Sequence, residues 1–439
     1  MRKVLAVIIT VFVLSTSVVT QSGYAAEEPG ISSQEILLGA TYPQTGTASP
    51  YYASYFAGAN AYFAHLNAQG GIYGRKIKLI TFDDQFSPLR SVMGTNQLIL
   101  KDKVFALFSS SPGSSTHMAM SQSVNPGRRG IPSLFPLVNL SLFKDSAKYP
   151  TTFILEPSAQ QEARIIASFT KDEFSNLQFK ALIQSEISSE IRSAWSNIGY
   201  TVTSFGVFAQ GSGFGMNEKG SLIYLSDFTG PRLQSSDPFI ARSDAVSSFS
   251  RLVQITQSDW ANTYAGLYLP LPNESSDEFV TFFNKIFSTY IPGQPIDAKT
   301  IAGANAAYIV AQVFSAVGPQ ITRQKVLDFL RSKGSTLSHA GYEPLNFGNE
   351  VSSNKVSLYF ARFDGTTWSR YSKNYSTELY SNIVSKTSPY RSQLLPNGLP
   401  IPISSKVPSE ISITCVKGKL TKKVTAVKPK CPAGYKVKK

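Results

Sequence analysis

The chain has 439 residues, 42% hydrophobic and only 16% charged, with 28 Phe, 21 Tyr and 3 Trp. That is room for two domains of ~100–200 residues each, and far too apolar and aromatic for a disordered chain. The net charge of +14 sits at the ends: without Arg2, Lys3 and the nine Lys between Cys415 and Lys439, 31 basic residues face 28 acidic ones, so the body lacks the charge of a nucleic-acid groove.

Residues 1–25 read as an export signal: a basic start (Arg2, Lys3), an apolar run from Val4 to Val19, then Gly23-Tyr24-Ala25, with cleavage expected after Ala25 or Ala26. A spanning helix needs ~20 apolar residues, more than this run offers. No Cys lies near the cleavage site, so a thiol-linked lipid is not expected. No later stretch is apolar enough to span a membrane. The mature protein is therefore expected to be exported, periplasmic or cell-wall associated and extracellular, and not lipid-anchored.

Ile36–Ala40 is a short apolar run ending in the Pro/Gly/Thr-rich loop Pro43–Pro50. Tyr52, Phe56, Ala59, Phe63 and Leu66 follow at spacings of four and three, one face of a helix that stops at Gly70-Gly71. Ile77–Phe82 is the second strand. The second helix carries Leu89, Val92, Met93, Asn96, Ile99 and Leu100 on one side. Val104–Phe108 reads as a strand buried on both faces, and the loop Ser109–Ser115 leads into a third helix. Pro132–Phe135 is a fourth, short strand. Such alternation builds a parallel sheet with helices on both sides.

From about Phe153 the pattern restarts: helix Gln160–Phe174, strand Phe179–Ile183, helix Ser189–Trp195, strands Tyr200–Phe208 and Ser221–Leu225. Asp227–Gln257 has Gly-Pro and Asp-Pro breaks and no period, and stays unassigned. Phe279, Phe282, Phe283, Ile286 and Tyr290 make another helix stripe, and Thr300–Val317 is an Ala-rich helix. Lys355–Phe363 and Thr367–Tyr371 form a hairpin whose Asp364-Gly365 suits a type I′ turn.

Residues 389–412 hold five Pro and serve as a semi-rigid spacer. The Lys-rich tail, 413–439, holds both cysteines, Cys415 and Cys431. Their pairing in an oxidising compartment would contribute roughly 3 kcal/mol. The tail has too few large apolar residues for a core. Its charge suits either a solvated appendage or rest on anionic cell-wall polymer or lipid head groups.

Reactive constellations are sparse. His65, His117 and His339 share no metal-ligand spacing, and no Gly-x-Ser-x-Gly elbow occurs. Gly211–Gly215 lacks the Lys of a phosphate loop and reads as a turn. Asp83-Asp84 could serve acid–base work, but acids at a strand end commonly bind backbone amides. No enzyme, metal or cofactor is expected. The strand-end loops Pro43–Tyr51, Asp84–Pro88, Ser109–Thr116 and Pro136–Ser141 instead offer hydroxyls, small residues and an aromatic platform, where open parallel sheets bind ligands.

These loops carry a resemblance. Gln69-Gly70-Gly71-Ile72-Tyr73-Gly74-Arg75-Lys76-Ile77-Lys78-Leu79, followed by Asp83-Asp84-Gln85-Phe86-Ser87-Pro88, resembles the extracytoplasmic solute-binding proteins of ABC importers, branched-chain amino acid (Leu/Ile/Val) type. Gly30-Ile31, Ile36–Gly39 and Pro43-Gln44-Thr45-Gly46 with Tyr51 support it. The resemblance implies the periplasmic binding protein type 1 fold: α/β, two doubly wound parallel-sheet lobes, hinged by three crossings and facing each other across a gap. Lobe 1 would be 31–148 and 271–341, and lobe 2 would be 149–270 and 342–374, with crossings near Tyr149-Pro150, Leu269-Pro270 and Gly341-Tyr342.

It also implies ligand contacts. Ser110, Ser111, Gly113 and Ser114 would give hydroxyl and backbone donors to a ligand carboxylate, Tyr51 an aromatic platform, and Gln85 a contact beside it. The fourth-strand loop, usually small or hydroxyl-bearing, reads Leu137-Val138-Asn139, so Val138 and Asn139 would contact the ligand. In lobe 2, Gln184-Ser185-Glu186-Ile187-Ser188 stands where Asp-x-x-Tyr-Gly is usual, and Asp227 or Glu186 would meet a ligand ammonium. The expected function is capture of an amino acid, amide or aromatic acid for ABC permease subunits, by a monomer without nucleic-acid partners. A ligand-sensing receptor or wall-associated module of the same fold, and a secreted enzyme, are the alternatives.

Overall fold

The computed structural model describes residues 28–208, 220–225, 237–242, 260–348, 354–395, 411–418, 420–426 and 431–438. The expected signal segment, the turn Gly211–Gly215, Asp227 and most of the spacer lie outside them. The first sheet holds β1 (Glu35–Tyr42), β2 (Lys76–Asp83), β3 (Ala106–Phe108), β4 (Ser133–Leu134) and β5 (Thr152–Phe153), in the order β2-β1-β3-β4-β5, all pairs parallel. β3 is buried on both faces, as its unbroken apolar run predicts.

Helix α1 (Ser49–Ala68) buries the predicted stripe and also Tyr55, Gly58 and Tyr62, because it lies between the sheet and a second helix. That partner is the helix Ala298–Ala316. Helix α2 (Pro88–Asn96) runs into a π turn, Gln97–Lys101. Its predicted apolar face is wrong: Leu89, Met93 and Leu100 are 70%, 58% and 58% exposed, while Ser91, Gly94 and Thr95 are buried. The small residues let α2 lie close on the sheet, since a Cβ on Gly94 would stand 2.3 Å from the Phe82 ring. Helix α3 (Ser114–Ser123) completes this part of the lobe.

The second sheet begins after a capping box: the Ser158 hydroxyl accepts from Gln161 N–H, and the Gln161 side chain accepts from Ser158 N–H. Helices α4 (Ala159–Glu173) and α5 (Ser185–Asn197) flank β6 (Lys180–Gln184), β7 (Ser204–Phe208), β8 (Leu222–Leu225), β9 (Phe239–Arg242) and β10 (Thr263–Leu267). These five strands are parallel, and β9 falls within the stretch left unassigned from sequence. The chain then returns to the first lobe as α6 (Glu278–Tyr290), α7 (Ala298–Ala316) and α8 (Arg323–Lys333), whose apolar residues share one core with α1.

β11 (Lys355–Phe363) joins the second sheet antiparallel to β10, followed by β12 (Trp368–Arg370), β13 (Asn374–Glu378) and β14 (Ser385–Thr387). The β11–β12 turn is not type I′. Only Gly365 has positive φ, and the Asp364 carboxylate organises the loop by accepting from Thr366 and Thr367 N–H, both at 2.8 Å. The two lobes thus sit on separate sheets, with passages after Phe153, after Leu267 and before Lys355.

A fourth passage was not foreseen. Directly after β14, residues 391–395 dock on the first lobe. Ser392 Oγ accepts from His339 N–H (2.8 Å), Leu394 N–H donates to Glu278 (2.9 Å), and Arg391 pairs with Asp277. The start of the expected spacer is therefore a strap beside the third passage. Arg391→Ala is expected to loosen that strap, so chymotrypsin cleavage after Tyr390 or Leu394 should speed up by about tenfold, an equilibrium change of ~1.4 kcal/mol. Unchanged cleavage would show the strap to be held elsewhere.

The tail forms a separate three-stranded sheet, β16-β15-β17, from β15 (Ile411–Lys417), β16 (Leu420–Ala426) and β17 (Lys436–Val437), closed by the Cys415–Cys431 disulfide. No helix among the described residues is long and apolar enough to cross a membrane.

Candidate functional site

The carboxyl ends of the first sheet's strands open into loops that face the second lobe. Ser110 and Ser111 do not present their hydroxyls there. Both are fully buried; Ser110 Oγ accepts from Thr41 N–H (2.9 Å), and Ser111 Oγ lies within 3.0 Å of the Thr41 and Ser91 hydroxyls. Their role in the geometry is to hold the loop, which also needs the positive φ of Ser109, Ser111 and Gly113. Asp83 does similar work on the first loop, accepting from Gln44 N–H (2.8 Å) and the Thr45 hydroxyl (2.6 Å). Burial opposes its charge, yet these bonds hold its carboxyl below the usual range. Gln85 donates to Thr45 Oγ1 (3.2 Å) in the same exposed loop and does not line the cleft.

The deep part of the cleft is lined by Tyr51, Gly113, Val138 and Asn139 from the expected set, joined by Tyr52, Glu156, Arg242 and Lys299, which sequence reasoning missed. Ser114 lies just behind, its Oγ 3.3 Å from the Asn139 amide. The gap expected between the lobes is nearly closed here, leaving about 10 Å³, no more than the room one water needs. Arg242 fills it. Its Nε donates to Glu162 (2.7 Å), both side chains being 5% exposed, and with the Asn139 amide turned over, the orientation that its neighbours' hydrogen bonding requires, its two terminal nitrogens donate to the Asn139 side-chain oxygen at 2.7 and 3.0 Å.

Lys299 enters from the first turn of α7, 3.3 Å from Glu156 and over the Tyr51 ring at 5.0 Å. That turn is fixed by a capping box between Asp297 and Thr300. Asp297→Ala should therefore cost about 1 kcal/mol in denaturant unfolding, and a loss below ~0.3 kcal/mol would argue against the cap. Nearby, burial pushes the Lys144 ammonium down to about 7, against the pull of Glu156 and Glu162.

On lobe 2 the expected acids do not meet the described cleft lining. Asp227 lies outside the described residues, and Glu186 hydrogen-bonds Ser185 at the exposed start of α5. Glu190, one helical turn further, is the acid that reaches across: it accepts from Ser141 N–H (3.0 Å) and the Ser141 hydroxyl (2.5 Å). Burial raises the Glu190 carboxyl, with those bonds and Arg164 opposing. A sequence signal for Arg242 existed in Phe239-Ile240-Ala241, a short apolar run after Asp237-Pro238.

His117, under the third-strand loop, stacks edge-on against Phe143 at 4.7 Å, and burial lowers it to about 4. His339 accepts from Gly341 N–H at Nδ1 (3.0 Å) and is likewise held near 4, mainly by burial. Both bind protons more readily unfolded, with an ordinary value near 6.5, so their contribution is complete above that pH and is lost as pH falls towards 4. Each should remove about 1.4 kcal/mol per pH unit across that window. A melting temperature constant from pH 7 to 4.5 would contradict this. Among the described residues no group of His, Cys, Asp and Glu could hold a metal ion.

Fold and cleft define the type 1 periplasmic binding protein architecture, and the resemblance read from sequence is borne out. Residues 35–182 match the family described as "Periplasmic binding protein". A curated "Amino acid binding protein" of Pseudomonas aeruginosa is 35% identical over 82 residues, 19% of this chain and 22% of that protein, so the match spans about a fifth of the relative's length. A solved structure named as a possible leucine/isoleucine/valine-binding protein, from Rhodopirellula baltica, superposes with TM-score 0.64 at 13% identity, covering 77% of this chain and 97% of its own. An ABC transporter solute binding protein from R. palustris in complex with benzoate gives 0.60 at 16%, covering 76% and 95%.

Proposed function

We propose that the chain is an extracytoplasmic solute-binding protein that captures a small solute between its lobes and presents the closed form to the membrane subunits of an ABC importer. The observation that carries this is the meeting of polar groups from both lobes across the cleft, Asn139 with Arg242 and Ser141 with Glu190. A solute that bridges the same walls shifts the open–closed equilibrium by its differential affinity for the closed form. Export is supported by the tail disulfide, which suits an oxidising compartment. The lysines of the tail sheet fit an anionic cell-wall polymer. Amino acids, amides and aromatic acids are the candidate solutes, matching the apolar Leu137 and Val138 beside Tyr51 and Tyr52.

The near-filled cleft also favours a second reading, a receptor or wall module of the same fold that closes without transport. A thermal-shift panel separates solute classes. At a hundred times Kd a true solute adds about 2.7 kcal/mol, a rise of several degrees. Sugars or polyamines raising the midpoint, with amino acids, amides and aromatic acids inert, would overturn the proposed solute class.

A further inference from the structure

We propose that the chain pairs with a second copy of itself through the outer side of helix α2, as an antiparallel two-fold dimer. This goes beyond solute capture, and it departs from the monomer expected from sequence. Its starting point is the inversion of α2. Leu89, Met93 and Leu100 are 70%, 58% and 58% exposed, while Ser91 and Thr95 are buried and Gly94 lies against the Phe82 ring of the first sheet. Val92 and Ile99, partly buried, pack on the inner cluster that holds Leu98. A helix that turns small residues inward and large apolar ones outward leaves apolar surface in water, which is unfavourable for a chain on its own. Among the described residues of the first lobe, these three are the large apolar side chains left exposed.

The pattern of the stripe says which partner fits. Leu89, Met93, Asn96 and Leu100 follow one side of the helix and its π turn, at spacings of four, three and four. That order is the same read from either end. A two-fold axis crossing the helix between Gly94 and Thr95 sets Leu89 against Leu100 of the second copy and Met93 against its Asn96, and each contact then occurs twice. This is the self-complementary patch that a closed dimer requires. A membrane subunit, or any partner of another sequence, would need no such symmetry.

Charge agrees with the pairing. Between Leu89 and Leu100 the one charged residue is Arg90, which is drawn back to the sheet: it donates to the Asp83 carbonyl oxygen at 2.9 Å and lies over the Phe82 ring. Two stripes therefore meet without like charges between them. Beyond Leu100 come the exposed Lys101 and Lys103. The antiparallel arrangement carries them towards the loop after β2 of the second copy, which bears Asp83, so opposite charges face each other at both ends. Three large apolar side chains a copy are at the low end of what associates, so the dimer is a weak one that fills at high concentration. Helix α1 packs on the other face of the first sheet, and lobe 2 takes no part, so each copy keeps its hinge.

Sedimentation velocity of the full exported chain from about 5 to 500 µM tests this, the expected dimer having a Kd of ~10–100 µM. Met93→Glu, a change at an exposed position that brings like charges together near the axis, should weaken association by about tenfold or more and leave the melting midpoint in place. Cross-linking tests the register. Cys415 and Cys431 are paired and no other Cys exists among the described residues, so an introduced Cys is a free thiol. Leu89→Cys and Leu100→Cys, mixed and oxidised, should give a covalent pair of one chain of each. Neither variant alone should do so, because about 16 Å of helix separates each position from its own counterpart and a disulfide needs Cα atoms within ~7 Å. A monomer at every concentration, association unaltered by Met93→Glu, or cross-linking of either variant with itself overturns the inference. So does a Leu89→Cys cross-link formed in cells to a chain of another sequence without the mixed pair. Each of these outcomes leaves solute capture standing, since the thermal-shift panel tests it separately.

Discussion

Replacing Gly303 with valine is expected to abolish cooperative folding of the first lobe. Helices α1 and α7 cross backbone to backbone: a Cβ on Gly303 would stand 1.8 Å from the Tyr55 carbonyl oxygen, and one on Gly58 would stand 2.0 Å from the Thr300 carbonyl oxygen. Neither contact can be relieved by a rotamer change, because the opposing atoms are main chain. The helices must separate, and with them the core that joins Tyr55, Phe56 and Tyr62 to Ile301 and Tyr308. Overpacking alone costs ~1–3 kcal/mol, and parting two buried helices adds to it, so a loss above about 3 kcal/mol follows. The same variant displaces Lys299 from the cleft. Calorimetry should show the first-lobe transition lost or lowered by more than about 10 °C. A melting profile within 2–3 °C of the parent would mean that the two helices do not touch as described.

Glu162→Gln is expected to be the next most damaging change. It takes away the carboxylate that holds the Arg242 Nε, both side chains being 5% exposed, and breaking a buried pair from one side costs ~3–5 kcal/mol. Removing both charges relieves most of that, since neither ion is then left buried alone. A double-mutant cycle with Arg242→Gln should therefore give a coupling energy above about 2 kcal/mol in denaturant unfolding. Additivity within ~0.5 kcal/mol would show the pair to be energetically independent. These two changes probe different layers, the first the lobe and the second the cleft floor.

The fold was legible where burial and spacing agree. Tyr52, Phe56, Ala59, Phe63 and Leu66 mark α1, and the glycines after it mark its end. Spacing misled at α2, where Ser91, Gly94 and Thr95 pack inward and Leu89, Met93 and Leu100 face outward. There the close approach of small residues decides orientation, and no count of apolar residues records it. The cleft was half legible. Tyr51, Gly113, Val138 and Asn139 line it. Ser110 and Ser111 looked like ligand donors because hydroxyls in a loop cannot announce which way they turn. Glu186 and Glu190 differ by one helical turn, which sequence alone does not weigh. Arg242 was hidden by its surroundings: β9 is only four residues long and lies between breaks.

The central claim is that two lobes close over a small solute without altering it. Native mass spectrometry of the protein, purified from its own cells without denaturation, tests that most directly. The account predicts a species heavier than the mature chain by one constant small mass, released intact on denaturation. A bare chain throughout, or a released compound that changes during incubation with the protein, would contradict it.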